Sequence, residues 1–289
     1  MGLKFALVAV VAMVAFAVTV VWIAHRRWQA DTHALQAHLL SMAPPAEEAV
    51  FDATQLDALP APVARYLRSV LREGQRIPRR VRVTWVGEFN LGTPGADRWV
   101  PFKAVQDFVP GAPGFVWDAR MRIAPGIAVY VRDALVAGRG QMRGKALGLL
   151  TVVDKQGGGD FATAALQRCL GEAIWLPAML LPGRGVQWQA IDAQRARATL
   201  RTGAATASLD FSFDADGRIA AVFAAQRSYD DGKHPPRLLP WQARVLRHGV
   251  IGGVGVPVEA TVEWLFPEGA FAYWRGRPVA IDYDPIERE

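Results

Sequence analysis

The feature that most constrains this chain is a run of twenty uncharged residues near its start, FALVAVVAMVAFAVTVVWIA, which begins at Phe5 and ends at Ala24. As a helix rising about 1.5 Å per residue it spans roughly 30 Å, the hydrocarbon thickness of a bilayer. A cleavable signal peptide would have a shorter apolar region and a small-residue cleavage site followed by polar sequence. Here Ala15-Phe16-Ala17 is followed by further apolar residues, including Trp22 and Ile23. The expectation is a retained signal anchor over residues 1–27, with a cleaved leader or a buried core helix as alternatives. The positive-inside rule nearly ties, because Lys4 lies on one side and Arg26 and Arg27 on the other. The expected arrangement is a single pass with the domain on the outer side of the membrane, and the cytoplasmic orientation is the alternative.

Charge is interpretable only after this cut. The whole chain carries 33 basic and 27 acidic groups, or +6. Three of the positive charges flank the apolar run, so the remainder is nearly balanced. No Lys/Arg block or aromatic-basic repeat occurs, which excludes a nucleic-acid footprint as a reading of the high pI. The single cysteine, Cys169, makes no internal bridge, and its place on the apolar side of a helix is that of an inert buried thiol.

Residues 28–57 read as a stalk and linker: 28–43 continue the membrane helix, and Pro44-Pro45 marks a boundary. Residues 58–289 read as one domain. A helix is expected from Pro62 to about Glu73, where Val63, Tyr66, Leu67, Val70 and Leu71 keep helical spacing and Gly74 ends it. Period-two alternation follows in RVRVTWVGEFNL, FVWDARMRI and VEATVEWLF, each with apolar residues on one side and charged or polar ones on the other. Less regular strands are expected around Trp99, Val129, Met142, Val152, Trp188, Ala221 and Val245, giving ten to twelve in all. Residues 160–185, DFATAALQRCLGEAIWLPAMLLPGRG, read as a helix, a turn and a short second helix. The predicted fold is α+β: a large curved antiparallel sheet, an incomplete barrel, packed on or around two helical segments and preceded by the transmembrane helix. Regular crossover helices and a Gly-rich phosphate loop are missing, which disfavours a doubly wound fold and a dinucleotide cofactor.

No established catalytic motif is present. His25, His33 and His38 sit in or beside the anchor, and His234 and His248 form no metal-ligand cluster, so neither metal nor cofactor is expected. Glu172 stands apart because Arg168 lies four residues before it on the same helical face. That pair reads first as a helix ion pair, then as a ligand-facing carboxylate, then as a general acid or base. Of the ten tryptophans, Trp85, Trp99, Trp117, Trp188, Trp241, Trp264 and Trp274 recur beside strands, as wide rings filling a sheet-helix core or lining an apolar cavity.

The segments LPAPVARYLRSVL, WVPFKAVQDFVPGAPGFVWDA, RCLGEAIWLPAMLLPGRGVQW, the arginine of AAQRSY, GVPVEATVEW and YWRGRPVAIDYD together resemble a bacterial family of uncharacterised, often membrane-anchored proteins, a domain of unknown function, over about residues 58–284. The matching positions are Pro62, Arg65, Tyr66, Phe102, Gln106, Phe108, Phe115, Trp117, Arg168, Glu172, Trp175, Pro177, Leu181, Pro182, Arg227, Trp241, Trp264, Tyr273 and Trp274. The resemblance implies membrane association and a shared fold, and transfers no catalytic role. Cys169 departs from an aromatic tendency at its position. The fold also resembles the half-open barrel of bacterial lipoprotein carriers, where an apolar space receives acyl chains.

The leading functional expectation is therefore membrane-tethered binding of a hydrophobic or lipid-like ligand in the cell envelope, with Trp117, Glu172, Trp175, Trp241, Tyr273 and Trp274 as candidate ligand-binding residues. The alternatives are a structural or protein-interaction module with an envelope protein as partner, and an enzyme using Glu172 with Arg168 and Arg227. Paired reporter fusions at the carboxyl terminus check the topology: a periplasmic reporter is expected to be active and a cytoplasmic one silent.

Overall fold

In the computed structural model, which describes residues 2–43 and 49–284, one helix, α1 (Gly2–Ser41), runs unbroken from the apolar segment through the stalk. Its most apolar stretch has a mean hydropathy of 2.8 and none of that stretch is buried, so it stands clear of the domain as a membrane anchor. Pro44-Pro45, the expected boundary, lies outside the described residues. The packed domain resumes at residue 49. Phe51 and Leu56 are buried in the main core, and Phe51 N–H donates to Gln75 O, so the domain begins before residue 58.

After α2 (Ala61–Val70), the chain makes a meander of six strands: β1 (Val81–Asn90), β2 (Trp99–Phe108), β3 (Phe115–Ala124), β4 (Ile127–Val136), β5 (Arg139–Ala146) and β6 (Leu150–Gly157). Helix α3 (Gly159–Glu172) and three short 3-10 turns, ending at Arg184, lead to a second meander. That meander comprises β7 (Gln187–Ala190), β8 (Arg195–Thr202), β9 (Ala205–Phe213), β10 (Ile219–Tyr229), β11 (Arg237–Ile251), β12 (Val254–Phe266) and β13 (Gly269–Tyr283). Described neighbours are antiparallel, in the order β6-β5-β4-β3-β2-β1-β13-β12-β11-β10-β9-β8-β7. The two meanders are joined where the first strand pairs with the last, Val83 opposite Ile281. Pro278, which has no N–H to give to a central ladder, sits at the bulge that interrupts this pairing.

The sheet is thus the predicted α+β incomplete barrel with helices in its concavity, at thirteen strands rather than ten to twelve. Its two outer arms curl over α3, which packs against β4, β5 and β6 on one side and β8, β9 and β10 on the other. Lys155 on β6 pairs with Asp230 beyond β10 across the opening. The concave face is apolar by alternation: Val81, Val83 and Trp85 on β1, and Phe115, Trp117, Ala119 and Met121 on β3 are all buried. Tyr66 and Leu67 of α2, and Leu166, Cys169 and Leu170 of α3, complete the same core, with Ile174, Trp175, Met179 and Leu180 from the turns.

A second, smaller core lies on the convex face. Here Val116 of β3, Ala134 and Val136 of β4, and Val109 pack against Leu35 and Leu39 of α1. The stalk therefore lies along the sheet. Polar contacts fasten it: Trp28 Nε1 donates to Asp118 Oδ1 at 2.8 Å, and Gln36 Nε2 donates to Asp107 Oδ2 at 2.7 Å. Arg132, 1% exposed, donates to Trp28 O at 2.7 Å and Thr32 Oγ1 at 3.0 Å, with its guanidinium 4.2 Å from the Trp28 ring centroid. Burial lowers the Arg132 pKa, with Asp118 and Asp31 acting against it, and burial raises that of Asp118. A guanidinium removed from water needs such a set of acceptors to offset its desolvation. If the docked helix is part of the cooperative fold, Leu39→Ala is expected to cost about 2–5 kcal/mol, the range for a buried leucine. Thermal unfolding of the full chain in detergent checks this; a spacer would show no change.

Candidate functional site

Helix α3 ends beside the concave faces of β2, β3 and β4, and there the first group of candidate residues meets. The i,i+4 spacing of Arg168 and Glu172 places them on one face, with Arg168 Nε donating to Glu172 Oε1 at 2.9 Å. Arg168 Nη1 also donates to Asp133 Oδ2 at 2.5 Å. The second oxygen of Glu172 accepts from Gln106 Nε2 at 2.6 Å, and Gln106 Oε1 in turn accepts from Trp85 Nε1 at 3.0 Å. Five residues from β1, β2, β4 and α3 thus form one series, roofed by Phe115 and Trp117, whose ring centroids lie 4.9 and 5.0 Å from the Arg168 guanidinium.

One guanidinium serves two carboxylates in this series, which sets its electrostatics. Burial pushes the Glu172 carboxyl up, and the charge and hydrogen bond of Arg168 only partly hold it down, with Asp133 adding a like charge. Burial acts to lower Arg168, yet the Glu172 and Asp133 carboxylates outweigh it and the net direction is upward. The Glu172 side chain is 19% exposed and both its oxygens have protein partners. Chemically the group is a strut that fixes α3 to the sheet. Asp133 and Gln106 are the members that sequence reasoning did not weigh as partners of this pair. The signal for Asp133 was a lone acid in the otherwise apolar run DALV.

A second group lies further along the concave face. The register shift in β10 between Ala224 and Arg227 turns Arg227 toward the core, and its guanidinium lies 4.8 Å from the Trp241 ring centroid and 5.7 Å from that of Trp264. Arg227 Nη2 donates to Ala164 O of α3 at 3.2 Å, while its buried Nε and Nη1 have no hydrogen-bond partner among the described residues. Trp241 Nε1 donates to Tyr273 Oη at 2.9 Å, Trp264 stacks on Tyr273 at 6.0 Å, and Phe89 meets Tyr273 edge-on at 5.6 Å. Trp264 and Tyr273 are half-buried, and they form an aromatic rim whose inner wall is the buried Trp241.

The candidate residues therefore divide. Glu172, Arg168 and Trp117 belong to the first group, and Arg227, Trp241 and Tyr273 to the second. Trp274 lies within 5.8 Å of Trp85 and 6.0 Å of Phe102, beside the first group. Trp175 packs edge-on to Trp85 at 4.8 Å and donates to Pro257 O at 2.8 Å, so it is a core residue with its polar atom satisfied. Cys169 is buried beside them, and burial pushes its thiol up. Among the described residues no three His, Cys, Asp or Glu side chains are grouped to hold a metal.

Of the two readings of the tryptophans, core packing is the one found in the concavity, which α2, α3 and the 3-10 turns fill. A crevice beside Leu176, Met179 and Tyr283 has a volume of about 10 Å³, at most one water. A wider cleft of about 460 Å³ opens outward where β9 and β10 diverge, bordered by Gln167, Thr206, Ser208, Phe223, Ala225 and Gln226.

These packed groups lie within residues 49–276, which match a family of unknown function, DUF6544. The chain belongs to this family. No curated protein matches it. Two solved structures are similar: a DUF1329 family protein from Desulfovibrio piger ATCC 29098, at 14% identity over 80% of this chain and 89% of that one with a TM-score of 0.37, and a beta-barrel-like protein of domain of unknown function DUF1849 from Brucella abortus, at 10% identity over 71% and 98% with a TM-score of 0.22.

Because the folded chain holds the Glu172 proton more tightly than the unfolded chain, the contribution of this group to stability is full below its ordinary value of 4.5 and declines as pH rises through the raised value. The stability gap between the parent and Glu172→Ala is therefore expected to narrow as pH rises across that window. Denaturant titrations at a series of pH values check it; a widening gap refutes the upward direction.

Proposed function

We propose that this is a membrane-tethered domain of the bacterial cell envelope, held in the inner membrane with its domain in the periplasm, that binds a hydrophobic or lipid-like molecule bearing an acidic group on the aromatic rim around Arg227. The observation that carries the reading is the Arg227 guanidinium, which lies against two indoles with two buried donors unmatched. Leaving such donors unpaired costs free energy, and a carboxylate or phosphate oxygen pair matches their geometry. The half-buried rings of Trp264 and Tyr273 offer a wall for an alkyl chain without requiring an enclosed cavity. On this reading the plan is similar to that of the lipoprotein carriers, with the ligand at the rim of the half-barrel instead of within it. Glu172 and Arg168 brace α3 behind the site.

Oleate, with oleyl alcohol as its uncharged counterpart, tests the reading on the full chain in nanodiscs, by quenching of tryptophan emission and by native mass spectrometry. Oleate is expected to bind in preference to the alcohol. Arg227→Ala is expected to weaken oleate by about ten- to a hundredfold, the worth of a charge-assisted hydrogen-bonded pair. Equal binding of acid and alcohol, or no change in the variant, would sink it.

A further inference from the structure

The docked half of α1 fixes how the domain stands on the bilayer. Gly148, in the turn between β5 and β6, has φ +74°, and a Cβ placed there would lie 3.5 Å from the backbone carbonyl carbon and the Cβ of Ala24 and from His25 N. Ala24 is the last residue of the apolar run. His25 faces Tyr130 of β4, ring centroids 5.2 Å apart. Leu147 N–H donates to Ala128 O at 2.9 Å, which ties the β5–β6 turn to the start of β4 and hence to the β3–β4 turn. Both turns are therefore level with the point where α1 leaves the hydrocarbon. From there α1 runs up the sheet to Leu39, which packs on Val116 and Val136.

At this level three large apolar side chains point away from the core: Ile127 is 43% exposed, Leu149 40% and Leu150 69%. Arg122 is exposed beside them, and Arg26 lies over the Trp22 ring at 5.3 Å, as at an interfacial belt. Apolar tips with basic flanks suit the boundary between acyl chains and anionic headgroups.

We infer that the β3–β4 and β5–β6 turns are a second membrane contact, inserting Ile127, Leu149 and Leu150 into the interfacial layer of the bilayer that α1 crosses. The inference rests on α1 as the anchor and is independent of the Arg227 rim. Anchor and turns together make a two-point stance, so the sheet holds one tilt to the membrane.

The test uses the full chain in vesicles of phosphatidylethanolamine and phosphatidylglycerol, with an environment-sensitive fluorophore on Leu149→Cys and, as control, on Arg139→Cys. Arg139 is exposed at the start of β5, beside the turn at the opposite end of β4. The label at 149 is expected to shift to the blue and to be quenched by spin-labelled lipid at least about threefold more than at 139, as for a side chain at the acyl boundary. Aqueous iodide is expected to quench only the label at 139. Iodide quenching at both positions overturns the proposal. A blue shift at 149 without lipid quenching also overturns it, in favour of contact with a second copy of the chain.

Discussion

A sheet this large has two faces to satisfy, and around β3 and β4 both are taken out of water. The concave side is covered by the domain's own helices, while the convex side at Val116, Ala134 and Val136 is covered by α1. The membrane helix is therefore also part of the fold. An apolar strip left bare there would be an aggregation surface, and the helix that covers it also supplies Trp28 O and Thr32 Oγ1 as acceptors for the arginine it buries, Arg132. The position of the domain relative to the bilayer follows from this one packing requirement.

Much of this architecture was legible in the sequence. The alternation of β1, β3 and β12, the spacing of α2 and α3, and the positions of the shorter strands depend on local periodicity, which one side of a sheet imposes directly. The docking of α1 was less legible, although a signal existed. Phe115-Val116-Trp117 and Ala134-Leu135-Val136 are runs in which alternation fails, as it does wherever both faces are buried. Alternation alone assigns Arg132 to solvent, and the partner that buries it lies about a hundred residues away, beyond the reach of any local pattern.

The candidate site was legible in its members more than in its groupings. Arg168 with Glu172 follows from helix spacing, but Asp133 and Gln106 join them through strand register, a property of the whole sheet. The tryptophans posed the sharper problem, since rings that fill a concavity and rings that line one have the same sequence pattern. Volume decided it: Trp85, Trp117 and Trp175 occupy the interior that a cavity would need, while Trp264 and Tyr273 near Arg227 are half-buried.

The pairing of β1 with β13 has a consequence for biogenesis. Val81 and Tyr283 stand opposite each other although they are roughly 200 residues apart in the chain. While the second meander is being made, β1 has one edge without its neighbour, and α3 has only one arm of the sheet to lie on. Cooperative closure must wait for the last strand to emerge, with α1 already held at the membrane. The half-made domain thus spends its synthesis as an open-edged sheet on the bilayer surface, the interval in which it is most exposed to mispairing.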